Sequence, residues 1–263
     1  MQRTVSAHME LLLSGRTDMV FSFTAAQPAR ATESLTFELD GVPVEPRELV
    51  DGHGSRLHRL ETDAGSLTVD YSAVIDGSSP PAPVEELDLI TYLRPSRYCE
   101  SDALLPTARS EFAGLSGHAL LAGVSTWVWE KLAYVSGSSL PTDGATRTLM
   151  SRQGVCRDYA HLTIALLRAL DVPARMVAVY APGLSPMDFH AVTEAYVDGA
   201  WWVVDSTRLA PRQSLLRIST GRDAADTAFL SNHWADLQLS RLEVLAIVDE
   251  LPFDDVSRPV QLS

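Results

Sequence analysis

The segment Asp76-Gly77-Ser78-Ser79-Pro80-Pro81-Ala82-Pro83 divides two stretches of different periodicity. Proline gives no N–H to a ladder and biases the residue before it away from helical backbone, so neither a strand nor a helix continues through this run. Before the break the chain reads as β. Leu35, Phe37 and Leu39 alternate with Thr36, Glu38 and Asp40, and Leu67, Val69, Tyr71, Ala73 and Ile75 alternate with mostly polar neighbours. That period of two belongs to half-buried strands, and Asp40-Gly41 and Ala64-Gly65 supply turn chemistry. No helical period occurs before residue 84. The expected organisation is a small β-sandwich over residues 1–76, a Pro-rich linker over 77–84, and a second domain over 85–263.

The second stretch changes character. Leu115, Ala119, Leu120, Val124, Trp127, Val128 and Leu132 fall at helical spacing, and Ala160, Ile164, Leu167 and Leu170 line one face of a helix from Cys156 that Pro173 ends. Three strand-like runs follow, 175–180, 190–197 and 201–205. Helices followed by antiparallel strands make an α+β layout.

Charge and cysteine count narrow the chemistry. Against 21 basic residues stand 34 acidic ones, a formal charge of -13, which repels phosphate backbones and anionic lipid. Nucleic acid and membrane are therefore not expected partners. Leu11-Leu12-Leu13 is too short for a signal-peptide core or a membrane span, which leads to a cytoplasmic expectation. The two cysteines, Cys99 and Cys156, cannot build a disulfide framework, and the seven histidines form no HExxH pattern, so no metal or cofactor is expected. One disulfide stays arithmetically open.

Cys156 follows the Gly154 turn at the start of the expected helix. Free backbone N–H groups and the helix dipole favour a thiolate there, and the same groups can face an oxyanion. The bland alternative is a small buried hydrophobe at a helix–sheet junction. Downstream, Asp198-Gly199 is a two-residue hairpin signal. With those two as the turn, Val197 pairs with Ala200 and Asp205 faces Val192. His190, on the same face as Val192, then becomes a diagonal neighbour of Asp205, a distance that suits an imidazole oriented by a carboxylate. A shift of one residue in register would part them.

The order of Cys156, His190 and Asp205, on helix start, strand and next strand, resembles the transglutaminase-like branch of the papain-like fold, and most closely its bacterial two-domain cysteine-protease-like members. The matching text is Gly154-Val155-Cys156-Arg157-Asp158-Tyr159-Ala160-His161, Met187-Asp188-Phe189-His190-Ala191, Glu194-Ala195-Tyr196 and Trp202-Val203-Val204-Asp205. Two looser stretches are 96–102 and 221–228. The resemblance implies a papain-like core, a cysteine-bearing helix packed on an antiparallel sheet, after the β-sandwich. It implies Cys156 as nucleophile, His190 as general base and then acid, and Asp205 as the group that orients the imidazole. Two positions depart from the family: Val192 stands where an aromatic is usual, which suggests a wider acceptor side, and Ser206 stands where proline is frequent.

Tyr98, Val155 and Arg157 are the further candidates for oxyanion or substrate binding. His161 lies roughly 7.5 Å along the helix axis from Cys156 and reads as structural. Asp158 either pairs with Arg157 or Arg152 or is solvated in the first helical turn, and Arg222 with Asp223 and Asp226 reads as a structural ion-pair group. One of Trp201 and Trp202 should pack inward. Three functions compete. The first is a peptidase or amidase that forms a thioester on a peptide, protein or small acyl substrate and releases it to water; the second passes the acyl group to an amine. The third is a scaffold without catalysis, which an intact Cys/His/Asp set disfavours. No acidic loop suggests calcium.

Overall fold

Side-chain alternation decides the first half of the molecule. In the computed structural model, which describes residues 1–27 and 31–262, Leu67, Val69, Tyr71, Ala73 and Ile75 are all buried, and the residues between them are not. In chain order the strands of this half are β1 (Gln2–Leu13), β2 (Thr17–Phe21), β3 (Ala31–Leu39), β4 (Val42–Pro43), β5 (Arg47–Val50), β6 (Arg56–Thr62) and β7 (Gly65–Asp76). Then come α1 (Glu86–Thr91), α2 (Ser101–Glu111), α3 (Gly117–Lys131), β8 (Ala133–Tyr134), α4 (Ala145–Ser151), β9 (Gln153–Gly154) and α5 (Cys156–Ala169). The chain ends with β10 (Ala174–Tyr180), β11 (His190–Val197), β12 (Ala200–Val204), β13 (Leu216–Gly221), α6 (Ala224–Thr227), β14 (Leu230–Trp234) and β15 (Leu237–Val248).

Two sheets form the β half, ordered β15-β1-β7-β3-β4 and β14-β2-β6-β5. Met9, Leu11, Met19, Phe21, Phe23, Phe37, Leu67 and Val69 join in one core, with Phe21 and Phe37 edge-to-face at 5.2 Å. Each such side chain contributes about 1.5–3 kcal/mol on burial. Residues 77–85 carry neither helix nor strand, in keeping with the Pro-rich run. The expected division nevertheless misplaces the end of the chain. β15 pairs with β1 from Arg3↔Val248 to Leu13↔Leu237, and β14 pairs with β2, so residues 230–248 complete the sheets begun by residues 1–76. Tyr180, Leu216 and Ile218 of the second half also enter the same core.

The second half is built on the antiparallel sheet β12-β11-β10-β13. α5 packs on the face that carries Ala174, Met176, Ala195 and Val204, flanked by α2 and α3 through Leu104, Ala108, Leu120, Val124 and Val128. The opposite face, with Val177, Val179, Val192 and Val203, is covered by Leu215 and Leu262. Within the sheet, Arg175 bonds Glu194 and Asp88 while its guanidinium stacks on Trp201 at 4.0 Å. Arg217 takes the other oxygen of Glu194 at 2.6 Å. Buried charges persist only when paired in this way. Among the described residues no helix is long and apolar enough to cross a membrane.

Candidate active site

The site is assembled from the ends of elements. The helix α5 begins at Cys156, after an extended Val155, and β9 before it pairs in parallel with β8, so that Tyr134 lies opposite Gly154. The Asp158 carboxylate, fully buried, closes the helix start: it accepts from the Val155 N–H at 2.8 Å and the Ser139 hydroxyl at 2.5 Å, and Arg157 donates to it at 3.2 Å. A β-carbon at Gly154 would come within 2.6 Å of Asp158 Cβ, so only glycine lets the two segments close.

The hairpin has the register that Asp198-Gly199 predicts. Both residues have positive φ, 50° and 83°, as a tight turn requires, and Val197 pairs with Ala200 and Thr193 with Val204. His190 opens β11 and Asp205 follows the last residue of β12. Their side chains meet, Nε2 to Oδ2 at 2.9 Å, with both residues buried. The second Asp205 oxygen accepts from the Thr207 N–H at 2.8 Å and from the Thr207 hydroxyl at 2.7 Å, which fixes the carboxylate plane. The helix is pinned to this loop by a Thr163–Ser206 hydroxyl contact of 2.8 Å.

Electrostatics bring Cys156 to the same imidazole. Burial alone would lower the pKa of His190, but the Asp205 carboxylate and then the Cys156 sulfur outweigh it, and the group is raised to about 10. Asp205 is held below its ordinary range in spite of burial, chiefly by His190. Since Asp205 occupies Nε2 and Nδ1 has no hydrogen-bond partner among the described residues, Nδ1 is the nitrogen left for the sulfur. The structure thus joins His190 to Asp205 directly, and the Cys156 sulfur acts on the same imidazole.

The other candidates fall elsewhere. Tyr98 stacks on His161 at 5.2 Å, with the Arg97 guanidinium 4.7 Å from its ring centre. The Val155 N–H is taken by Asp158, which removes it as an oxyanion donor. Arg157 turns to Ser139 and the Leu140 carbonyl, at 3.0 and 2.9 Å. Val192 is buried in the small core with Val177, Val179 and Val203. His161 is structural: its Nε2 accepts from the Ala224 N–H at 3.1 Å and burial lowers its pKa to about 3. Arg222 pairs with Asp226 at 2.8 Å, while Asp223 caps α6. Trp201 is the buried member of its pair.

One residue that the sequence reading missed does face the thiol. Tyr134 lies across the ladder from Gly154, two residues before Cys156, and its phenol is raised by desolvation and by the Cys156 sulfur and pulled back by the Cys156 backbone amide. Only the Tyr134 and Gly154 pairing across β8 and β9 places it there, and two-residue strands leave no periodic signal.

A cysteine at a helix tip, an imidazole and a buried carboxylate on an antiparallel sheet define the class as a cysteine-dependent enzyme fold. Residues 119–206, which hold all three groups, match the sequence profile of the transglutaminase-like superfamily. A protein from Cytophaga hutchinsonii, provisionally assigned as a cysteine protease, has a crystal structure that superposes with a TM-score of 0.87 at 32% identity, over 96% of this chain and 92% of that one. The chain belongs to the transglutaminase-like superfamily. An uncharacterized protein of Mycobacterium leprae is 27% identical over 144 residues, and this chain spans 50% of its length. An uncharacterized protein of Mycobacterium tuberculosis is 25% identical over 82% of this chain and 80% of its own length.

Proposed function

We propose that the protein hydrolyses amide or peptide bonds through a thioester on Cys156. The observation that carries this reading is the shared imidazole: His190 gives one nitrogen to Asp205 and leaves the other toward Cys156. A raised His190 pKa favours imidazolium, and a positive charge beside a thiol favours thiolate. The sulfur attacks the carbonyl carbon, and the developing oxyanion enters between two donors, the Cys156 N–H and the Tyr134 hydroxyl. The C–N bond breaks as the leaving amine takes the proton of His190. Water then gives a proton to His190 and adds to the thioester, the C–S bond breaks, and the acid departs. Asp205 and Thr207 keep the ring oriented throughout.

The same intermediate supports transfer to an amine if an amine reaches it before water. An acyl-donor peptide incubated with and without excess primary amine separates the two: acid alone is the expected product, and amide would shift the assignment to transfer. No product of either kind, with Cys156 unmodified, would leave the scaffold reading.

A further inference from the structure

Resting on the catalytic reading above, we infer that Asp188 is a specificity determinant, an anionic side chain at the mouth of the site that selects substrates carrying a positive charge beside the reactive carbonyl. The geometry comes from the segment that leads into β11. Met187 accepts the Ala246 N–H on its sulfur at 3.4 Å, which ties it to the β half. Phe189 turns the same way, its ring 5.6 Å from Tyr180 and 5.2 Å from Phe229. Asp188 lies exposed between them, two residues before His190. Burial pushes the Asp188 carboxyl up, the Phe189 N–H and the His190 charge pull it down, and its own charge in turn raises Tyr134.

Asp188 is exposed and forms no salt bridge with an arginine or lysine among the described residues; the cationic group that acts on it is His190. Its Oδ1 accepts only the N–H of its neighbour Phe189, at 2.7 Å. A carboxylate so placed has charge to offer a ligand. A Cys156–His190 pair has no net charge in either its neutral or its ion-pair form, so Asp205 and Asp188 leave the centre negative. The nearby Arg157 does not offset this, because its charge is matched by Asp158. The complementary chemistry is an ammonium or guanidinium group, carried either by the acyl donor or by an amine acceptor.

The test uses two methanethiosulfonates of similar size, one ending in trimethylammonium and one in sulfonate. The Cys156 thiolate attacks the sulfenyl sulfur, a mixed disulfide forms and methanesulfinate leaves. Intact-mass rates in the wild type should favour the cationic reagent by about tenfold at low salt, less at high salt. Asp188→Asn should cut that ratio at least about threefold and Asp188→Lys should invert it, although each alters the overall charge of the chain only slightly. A ratio near one in the wild type, or one unchanged in both variants, overturns the proposal and leaves the catalytic reading standing. Failure of Cys156 to react with either reagent overturns both. Paired substrates then locate the charge: lysine against norleucine beside the reactive carbonyl, and a diamine against a monoamine as acceptor. Circular dichroism of the variants separates a lost preference from a lost fold.

Discussion

His190 Nε2 and Asp205 Oδ2 lie 2.9 Å apart in a region closed to solvent, joined across a hairpin whose turn is Asp198-Gly199. Their bond holds the ring in one orientation and stabilises its charged form, so the two effects should fail together. In Asp205→Asn the His190 pKa should drop well below about 10, because burial is then opposed mainly by Cys156. Turnover should fall roughly a hundredfold to ten-thousandfold. Nitrogen-15 NMR titration of the imidazole reads the first effect and steady-state kinetics the second; an unmoved titration would sink the pairing as the cause.

The same pair sets a pH window for stability. His190 is raised, from 6.5 to about 10, so its contribution is complete below pH 6.5 and is lost as pH rises toward about 10. Asp205 is lowered from 3.8, so its contribution is complete above pH 3.8 and is lost on further acidification. Urea unfolding of the wild type and His190→Gln across pH should show the pH-dependent difference largest between 3.8 and 6.5 and shrinking toward 10.

The two thiols should behave differently. Cys99 is fully buried and burial pushes its thiol up, whereas Cys156 is partly open at the helix tip. Iodoacetamide near neutral pH should label Cys156 at least about a hundredfold faster, and His190→Ala should slow that labelling. Peptide mapping by mass spectrometry checks both; equal rates would count against a catalytic thiol.

Tyr134→Phe removes one hydroxyl that faces Cys156 and leaves the ring's contact with Tyr159, 5.9 Å between centroids. If the phenol meets the oxyanion, kcat falls about a hundredfold with little change in KM. A change in KM alone would assign the residue to substrate binding instead.

Asp158→Ala leaves the Val155 N–H, the Ser139 hydroxyl and Arg157 without their shared acceptor. The expected loss is about 1–3 kcal/mol in urea denaturation, and Gly154→Ala should be of the same order because its new methyl meets Asp158. A neutral result for both would mean that the helix start tolerates repacking.

Much of this was legible in one dimension, because its causes are local. Period-two burial marked β7, an apolar face and Pro173 bounded α5, and a turn that needs two positive φ values fixed the register that joins His190 to Asp205. Helices α1, α2 and α4 leave no such mark: they span 6, 11 and 7 residues, and α2 holds Pro106 within it. Short amphipathic segments carry too few periods to stand out.

The sequence by itself determined the class of the sheet, the cysteine at a helix tip and the histidine–carboxylate pair, since each follows from backbone chemistry acting over a few residues. Tertiary structure alone decided that residues 230–248 return to the first sheets, that Tyr134 pairs across from Gly154 while Tyr98 stacks on His161, and that the Val155 amide is already taken. Those outcomes depend on which distant segments share a hydrogen-bond ladder or a core. That choice is made by the free energy of the whole packing and leaves no mark at any single position.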